Sequence, residues 1–504
     1  MLLHLKVTEA LRIEPKTFSL FFQRKYKNVI RKGLHMVRSQ GSFMTLRKYR
    51  SKMIERRIEN DEAIIIARIM TPGGERFGFS RYLGETYIFD SDLIFEPTGT
   101  HELHDVILSK DTLCRLESYL PVPTCPLARE IAAEILKENP WLRPSDPDLL
   151  LEIGESRRPS ASTPSVRSSS DTKRQVFVLG FGSYVRENVL PHFRNEVAGA
   201  LDFKAELISR WSKPPFPVYS NPEEIMERIA RATLPLVIVA SYHSDHPTMA
   251  LQVLDSNPGA YVFVEKPAGV GLESVLPLIR HRERGAWIEV GFNRRYSRLI
   301  PKLKQWLAEV PSPLVITACI KELKIPDTHW YLWPNQGTRI TGNLCHWIDL
   351  VWSLIEKRPI EFTLLNSSDS VVLGMLFEDG TLANLTATDL GDDLPGVQEY
   401  LEFRGGSTKI EVRDFKTLLL SGDGRSERVS LFRPDKGHTA MYQQLRKNWL
   451  NGLPPVYSAE ALGWVSYMTD VASQMFVSGR RTLTLSGNYN DSASDLAPVA
   501  ARRD

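Results

Sequence analysis

The chain has 504 residues, 42% hydrophobic and 24% charged, a composition typical of a soluble globular protein with more than one domain. Its four cysteines are widely spaced without a CxxC pair, which argues against a disulfide framework or a zinc module, so we expect no metal site. No apolar run approaches the ~18 residues of a membrane span, and no signal-peptide pattern is present. We therefore expect a cytoplasmic protein without a membrane span.

The N-terminal region, residues 1–154, is predicted to be a separate α+β domain. Its first 57 residues contain 15 Lys and Arg but only 3 Asp and Glu, a net charge of +12, which leaves −9 on the rest. In residues 16–40, apolar side chains recur near helical spacing. Residues 62–97 have the pattern of strands joined by the turn TPGGE. The basic stretch suits an acidic partner, nucleic acid or an anionic membrane, or it is simply a solvated helix face.

A Ser/Pro-rich linker is predicted at residues 155–174, because almost nothing in it can be buried. In residues 175–300, apolar strands then alternate with amphipathic helices, the pattern of an α/β Rossmann domain with a doubly wound parallel sheet. The predicted strands are RQVFVLGFG, FKAELISR, LPLVIVASY, AYVFVEKP and GAWIEVGFN. The predicted helices between them are NPEEIMERIARA, DHPTMALQVLDSN and LESVLPLIRHRER.

A glycine-rich turn follows the first of these strands. Gly180 and Gly182 would let the backbone approach a pyrophosphate, with Ser183 at the start of the next helix. The third small position of the usual fingerprint is Val185, so a tight strand–helix turn without a ligand stays an alternative.

The end of the predicted second strand, FKAELISR, bears on the choice of cofactor. It has Ser209 and Arg210 but no carboxylate, which favours a 2′-phosphate and hence NADP over NAD. The alternative is that Arg210 is an ordinary surface charge.

Three candidate functional residues follow the buried strand YVFV. Ligands of doubly wound sheets bind beyond the carboxyl ends of the strands, where Glu265, Lys266 and Pro267 are predicted to lie. Pro267 would fix the backbone, and Lys266 would hold a substrate hydroxyl or share its proton, with burial disfavouring its ammonium form. The alternative is an exposed loop lysine.

Residues 301–486 are predicted to form an α+β domain with an open antiparallel sheet. The strand PLVITACIKEL leads through an aromatic loop to the helix GNLCHWIDLVWSLI, and several alternating runs follow, with EDG and RGG as hairpin turns. Two amphipathic helices, HTAMYQQLRKNWLNG and SAEALGWVSYMTDVASQMF, come next. Residues 487–504 are predicted to be a disordered tail.

Four stretches, ASYHSDH, VFVEKPAGV, VGFNRRYS and RITGNLCHWIDL, resemble the Gfo/Idh/MocA oxidoreductases over roughly residues 175–485. The resemblance implies a nicotinamide-dependent enzyme that transfers hydride to or from a CH–OH carbon of a sugar, cyclitol or sugar derivative. It also implies a homo-oligomer, with open sheet faces paired in a dimer. Catalysis is assigned to Lys266 and His346. The predicted cofactor-binding residues are Gly180, Gly182, Ser183, Ser209, Arg210, Ser241, His246, Glu265, Lys266 and Asn293.

One position departs from the family. Many members carry D-x-x-x-H-x-x-D on the helix, whereas this chain has Gly342 in place of the first Asp, with His346 and Asp349 retained. Glycine can neither orient nor buffer the histidine, so catalysis could be altered or lost. Asp349 is expected to cap or orient, and Cys345 to pack.

The predicted substrate-binding residues are Arg294, Trp330, Trp333, Arg339 and Asn343. The aromatic side chains would face a polyhydroxylated ring, and the arginines would bind a phosphate or carboxylate. Alternatively, the aromatics form a domain interface. Two further functions stay open: a non-catalytic cofactor- or sugar-binding scaffold that recruits a partner through its N-terminal region, and a redox-neutral enzyme with tightly held NAD(P).

Overall fold

The computed structural model describes residues 42–61, 68–70, 76–82, 85–90, 105–107, 174–202, 205–325, 331, 334–391, 396–485 and 489. The chain divides into two compact units. The first comprises Met1–Asn28, Lys52–Thr172 and Phe203–Asn221, and the second comprises Val29–Ser51, Lys173–Asp202 and Pro222–Asp504. The predicted helix at 16–40, the linker and the tail lie outside the described residues.

The helices of the described residues, in chain order, are α1 (Ser42–Asp61), α2 (Leu190–Phe193), α3 (Ala205–Ser212), α4 (Pro222–Arg231), α5 (His246–Ser256), α6 (Leu272–Glu283), α7 (Ile300–Leu307), α8 (Cys345–Ile355), α9 (His438–Asn451) and α10 (Ala459–Ser478). Segments of π-helix, Val185–Val189 and Ile340–Leu344, lead into α2 and α8. None of these helices is long and apolar enough to cross a membrane.

The strands are β1 (Arg68–Met70), β2 (Arg76–Tyr82), β3 (Glu85–Asp90), β4 (Asp105–Ile107), β5 (Val176–Leu179), β6 (Val197–Leu201), β7 (Val218–Tyr219), β8 (Leu236–Val239), β9 (Tyr261–Val264), β10 (Trp287–Val290), β11 (Val315–Lys321), β12 (Pro359–Asn366), β13 (Ser370–Phe377), β14 (Leu382–Thr388), β15 (Gln398–Gly405), β16 (Thr408–Arg413), β17 (Thr417–Gly422), β18 (Arg425–Ser430) and β19 (Thr482–Thr484).

In the first unit, four short strands pair in the order β3-β2-β1-β4. Strands β1 and β2 are antiparallel, with Met70 opposite Arg76, so the predicted TPGGE segment joins two paired strands. Strand β4 pairs with β1 in parallel.

The second unit contains a parallel sheet in which five strands follow the order β10-β9-β8-β5-β6. Every residue of β5, β8 and β9 is buried, which explains why these strands are continuous apolar runs rather than alternating ones. The Rossmann architecture is confirmed. One predicted strand is wrong: FKAELISR is mostly helix α3, and the second strand is β6, VAGAL.

The nine-stranded second sheet has the order β18-β17-β16-β15-β11-β14-β13-β12-β19. The predicted antiparallel domain is confirmed, except that the central strand β11 pairs with β14 in parallel. Along β11, Ile316, Ala318 and Ile320 are buried while Thr317 and Cys319 are exposed, the alternation of a sheet with one open face. Strand β18 was not predicted, because its sequence RSERVS is largely polar.

Helix α9 brings the C-terminal part of the chain back to the Rossmann sheet. The indole of Trp449 donates to the carbonyl of Leu234, 2.9 Å away, just before β8. Arg446 on the same helix forms an ion pair with Glu196, just before β6. These contacts fix Tyr442, which is fully buried one turn earlier, against the ring of Phe263 in β9.

Candidate active site

The glycine-rich turn is tight at one glycine and open at the other. Gly180 has φ +93°, and a Cβ there would lie 2.5 Å from the carbonyl oxygen of Ala240, beyond the end of β8. A Cβ on Gly182 would meet nothing within 4 Å. Ser183 follows, half-buried, where the helical segment begins. Gly180 is therefore required by the backbone, whereas Gly182 leaves space that a phosphate group can enter.

The end of the true second strand carries a carboxylate. Strand β6 ends at Leu201, and the next residue, Asp202, accepts a hydrogen bond from the backbone N–H of Phe181, 2.9 Å away, inside the glycine-rich turn. Ser209 and Arg210 instead lie within helix α3. The prediction that they form the strand end was wrong, and the argument for NADP falls with it. A carboxylate here suits a ribose 2′-hydroxyl and repels a 2′-phosphate.

Lys266 extends from the end of β9 to the helix that carries His346. Its Nζ donates to the carbonyl oxygen of Gly342 at 2.6 Å and to the hydroxyl of Tyr331 at 3.2 Å. Burial lowers the pKa of Lys266, but Tyr331, Cys345 and Glu265 outweigh it, so the pKa lies above its usual value. Burial on its own disfavours the ammonium form, as expected, but these neighbours reverse the net shift. Lys266 is a charged donor.

The carboxylate of Glu265, the residue before Lys266, lies beside two tyrosines. Tyr442 donates its hydroxyl hydrogen bond to Oε1 of Glu265, and the hydroxyl oxygens of Tyr442 and Tyr184 are 3.0 Å apart. Tyr184 belongs to the turn after Gly182 and is 37% exposed. Burial raises the pKa of Glu265 to about 7, against the opposing effects of Tyr442 and Lys266. The hydroxyl groups of Tyr184 and Tyr442 thus form a hydrogen-bonded chain that ends at the carboxylate beside Lys266.

His346 lies one turn after Gly342, and only 8% of its surface is exposed. Its Nδ1 is enclosed and has no hydrogen-bond partner among the described residues. The ring of Phe292 meets it edge to face at 6.2 Å. Burial, then the charges of Arg294 and Lys266, hold the pKa of His346 well below its usual value. The imidazole is therefore neutral near pH 7 and able to accept a proton.

His246 and Asn293 both contact backbone groups near the strand ends. The Nδ1 of His246 lies 2.7 Å from the carbonyl oxygen of Pro267, and its Nε2 lies 3.2 Å from that of Ser241. Burial lowers the pKa of His246 to about 4, so only one of these nitrogens carries a proton near neutral pH. Asn293 donates from Nδ2 to the carbonyl of Lys436 at 2.6 Å. Ser241 and Asn293 are thus held at the carboxyl edge of the sheet.

The predicted substrate arginines are engaged in ion pairs. Arg294 is buried and pairs with Glu399. Arg339 pairs with both Glu322, at 3.0 Å, and Asp389, at 3.3 Å. Asn343 also contacts the Glu322 carboxylate. Trp330 and Trp333 lie outside the described residues.

Asp349, which was expected to cap or orient, forms an ion pair with Arg295. It is fully buried and accepts hydrogen bonds from Nε and Nη2 of Arg295 at 2.6–2.9 Å. The hydroxyl of Tyr457 adds a further bond at 2.9 Å. Cys345 is likewise buried.

Sequence reasoning missed two residues of this site and one contact. Asp202 could have been found, because it lies 20 residues after Gly182, the usual distance from the glycine motif to the ribose-binding acid. Tyr331 was grouped with Trp330 and Trp333 as an aromatic residue suited to a polyhydroxylated ligand, but its contact with Lys266 was not predicted. Tyr442 carried no local signal, since its partner Glu265 is 177 residues away in sequence.

Comparison with known proteins gives a consistent result for the fold. No protein-family model and no curated protein matches the chain. Solved structures do match. An oxidoreductase domain protein from Kribbella flavida gives a TM-score of 0.54 at 14% identity over 63% of this chain and 100% of that one. Myo-inositol dehydrogenase from Lactobacillus casei, solved with NAD(H) and myo-inositol, gives 0.51 at 18% identity over 62% and 97%.

UDP-N-acetylglucosamine 3-dehydrogenase from Acidithiobacillus ferrooxidans gives a TM-score of 0.51 at 19% identity over 60% of this chain and 98% of that one. The body of the chain therefore has the two-domain fold of a dinucleotide-binding dehydrogenase. More narrowly, it is the fold of the Gfo/Idh/MocA-type dehydrogenases, which confirms the resemblance at the level of the fold.

Proposed function

We propose that the chain is an NAD-dependent oxidoreductase that acts on a CH–OH group of a sugar, cyclitol or sugar derivative. The observation that carries the proposal is the contact of Lys266 with Gly342. It brings the ammonium from the end of a parallel strand to the helix turn that precedes His346. A charged donor and a neutral imidazole at the carboxyl edge of such a sheet match the needs of alcohol oxidation.

The residues that would hold the cofactor fit a dinucleotide. Gly182 leaves space for the pyrophosphate, and Asp202 at the end of β6 would accept hydrogen bonds from the adenosine ribose. Ser241, half-buried after the end of β8, is available to the nicotinamide side, whereas the amide of Asn293 is buried and bonded to Lys436 and Arg294. When bound, the nicotinamide supplies the site that accepts or gives hydride.

The protein side chains then handle the substrate oxygen and its proton. Lys266 donates a hydrogen bond to the oxygen and stabilises negative charge on it. His346 accepts the hydroxyl proton at Nε2, because its Nδ1 is enclosed by protein. Its low pKa makes the resulting imidazolium a ready proton donor for the reverse reaction.

The cofactor assignment is tested by titrating tryptophan fluorescence with NADH and NADPH. We expect wild type to bind NADH at least roughly tenfold more tightly, equivalent to about 1.4 kcal/mol, and Asp202→Ala to lose that preference. Asp255→Ala, an exposed aspartate at the end of α5, is the matched control and should keep it. Failure of wild type to bind either cofactor would refute the proposal.

Turnover separates an enzyme from a cofactor-binding scaffold. Myo-inositol and UDP-N-acetylglucosamine, named for two structural neighbours, begin a panel of polyols and sugar nucleotides. We expect NAD reduction with at least one, and its loss in Lys266→Ala with NADH binding retained. Binding without turnover on the whole panel favours a scaffold. Product formation without net NAD reduction favours a redox-neutral enzyme.

A further inference from the structure

Tyr331 is held beside Lys266 by three contacts. Its hydroxyl accepts a hydrogen bond from Nζ of Lys266 at 3.2 Å, and that Nζ also lies 5.5 Å from the ring centroid. The ring also packs on His243, with ring centroids 4.7 Å apart. His243 is itself buried, and its Nδ1 lies 3.2 Å from the carbonyl of Gln336. The phenol is therefore positioned by its surroundings.

The missing side chain at Gly342 is part of this arrangement. A Cβ at that position would lie 3.6 Å from Cε2 of Tyr331 and 3.6 Å from Cε1 of His243. A single methyl group fits at ordinary contact distance, but a longer side chain would have to displace one of the two rings. Because residue 342 has no side chain, the ring of Tyr331 can occupy the space between His243 and the helix that carries His346.

The hydroxyl of Tyr331 and the ammonium of Lys266 are two donors at one place. A phenol that accepts a hydrogen bond at its oxygen still carries its own O–H group. We propose that Tyr331 is a catalytic residue that, together with Lys266, donates a hydrogen bond to the reacting oxygen of the substrate. This inference rests on the proposed oxidoreductase function and adds a second donor to it.

The step balances without a further reactant. In oxidation, the carbon–hydrogen bond would break with its electron pair leaving to a nicotinamide when one is bound, and the carbon–oxygen double bond would form as the hydroxyl proton passes to His346. Tyr331 and Lys266 keep their protons and stabilise the partial negative charge on the oxygen. In reduction, both donors act on the same oxygen as it gains charge, which is where preorganised donors have their largest effect.

Tyr331→Phe tests the inference because it keeps the ring and its packing and removes only the hydroxyl. With the best alcohol of the panel, we expect kcat to fall by roughly 100-fold, the usual effect of losing one such donor. KM and the NADH dissociation constant should stay within threefold. Tyr261→Phe is the matched control: this hydroxyl is buried at the start of the same strand, β9, opposite to the Lys266 end, and should leave kcat unchanged.

The outcomes separate the two proposals. A kcat of Tyr331→Phe within threefold of wild type, with wild type active, overturns the role of Tyr331 and leaves the oxidoreductase function standing. If kcat of Tyr261→Phe falls equally, the effect reflects a general disturbance of the structure, and the role of Tyr331 is again overturned. Wild type that binds neither cofactor, or oxidises nothing in the panel, refutes the proposed function and this inference with it.

Discussion

At Glu265, burial and hydrogen bonding act in opposite directions on one carboxyl group. Burial raises its pKa from 4.5 to about 7, although Tyr442 and Lys266 favour the charged form. The folded protein thus holds this proton more tightly than the unfolded chain does. The resulting stabilisation is fully present below about pH 4.5 and is lost as the pH rises through about 7. A shift of this size corresponds to about 3 kcal/mol.

Glu265→Gln should therefore flatten the dependence of stability on pH. Glutamine keeps an oxygen that can accept from Tyr442 but has no proton to lose, so wild type should lose more stability than the variant between pH 5 and 8.5. Thermal unfolding across that range measures the difference. Glu273→Gln, an exposed carboxylate on α6, is the control and should follow wild type. Parallel curves for Glu265→Gln and wild type would contradict the assignment.

At the scale of elements, β9 and β6 show what local sequence can predict. Strand β9 is four buried apolar residues followed by charge, so both the strand and the polar end at Lys266 were predicted. Strand β6 is VAGAL, whose small residues have little strand propensity. The segment FKAELISR was taken for the strand, although most of it belongs to the amphipathic helix α3, AELISRWS. That single misplacement hid Asp202, and the argument for NADP rested on it.

The two glycines of the turn after β5 should respond differently to the same substitution. Gly180→Ala places a Cβ 2.5 Å from the Ala240 carbonyl at φ +93°, so we expect a loss of at least about 2 kcal/mol of unfolding free energy. Gly182→Ala meets no atom within 4 Å and should leave stability nearly unchanged while weakening NADH binding.

Urea unfolding and NADH titration of both variants separate the two effects. The contrast is informative because the chemical change is identical and only the surroundings differ. If Gly182→Ala binds NADH as wild type does, the space beside Gly182 is not where the pyrophosphate lies. If Gly180→Ala is as stable as wild type, the close approach to Ala240 does not constrain the turn.

At the scale of the whole chain, the site depends on contacts that local patterns do not encode. Tyr442 reaches Glu265 only because α9 returns from the C-terminal region to the Rossmann sheet. Tyr331 reaches Lys266 across 65 residues of sequence, and Lys266 reaches Gly342 across 76. Family resemblance supplied Lys266 and His346, whereas these tyrosines follow from the packing of distant segments.

The open face of the second sheet is where we expect two copies of the chain to pair. Cys319, Thr386 and Leu365 lie in one cross-strand row and point to the same side. Val315 and Leu382, paired on the same face, are 48% and 50% exposed, and Leu365 is 57% exposed. Exposed apolar side chains on an open sheet face are typical of an interface between copies.

Cys319→Arg places a charge in the middle of this face, on the central strand β11. An unpaired buried charge costs about 3 kcal/mol or more, so we expect the dimer dissociation constant to rise at least roughly 100-fold. Light scattering after size exclusion should show the mass of two chains for wild type and of one chain for the variant. Val477→Arg, at an exposed position of helix α10, should stay dimeric. A monomeric wild type would refute the pairing, and a dimeric Cys319→Arg would place the interface elsewhere on the surface.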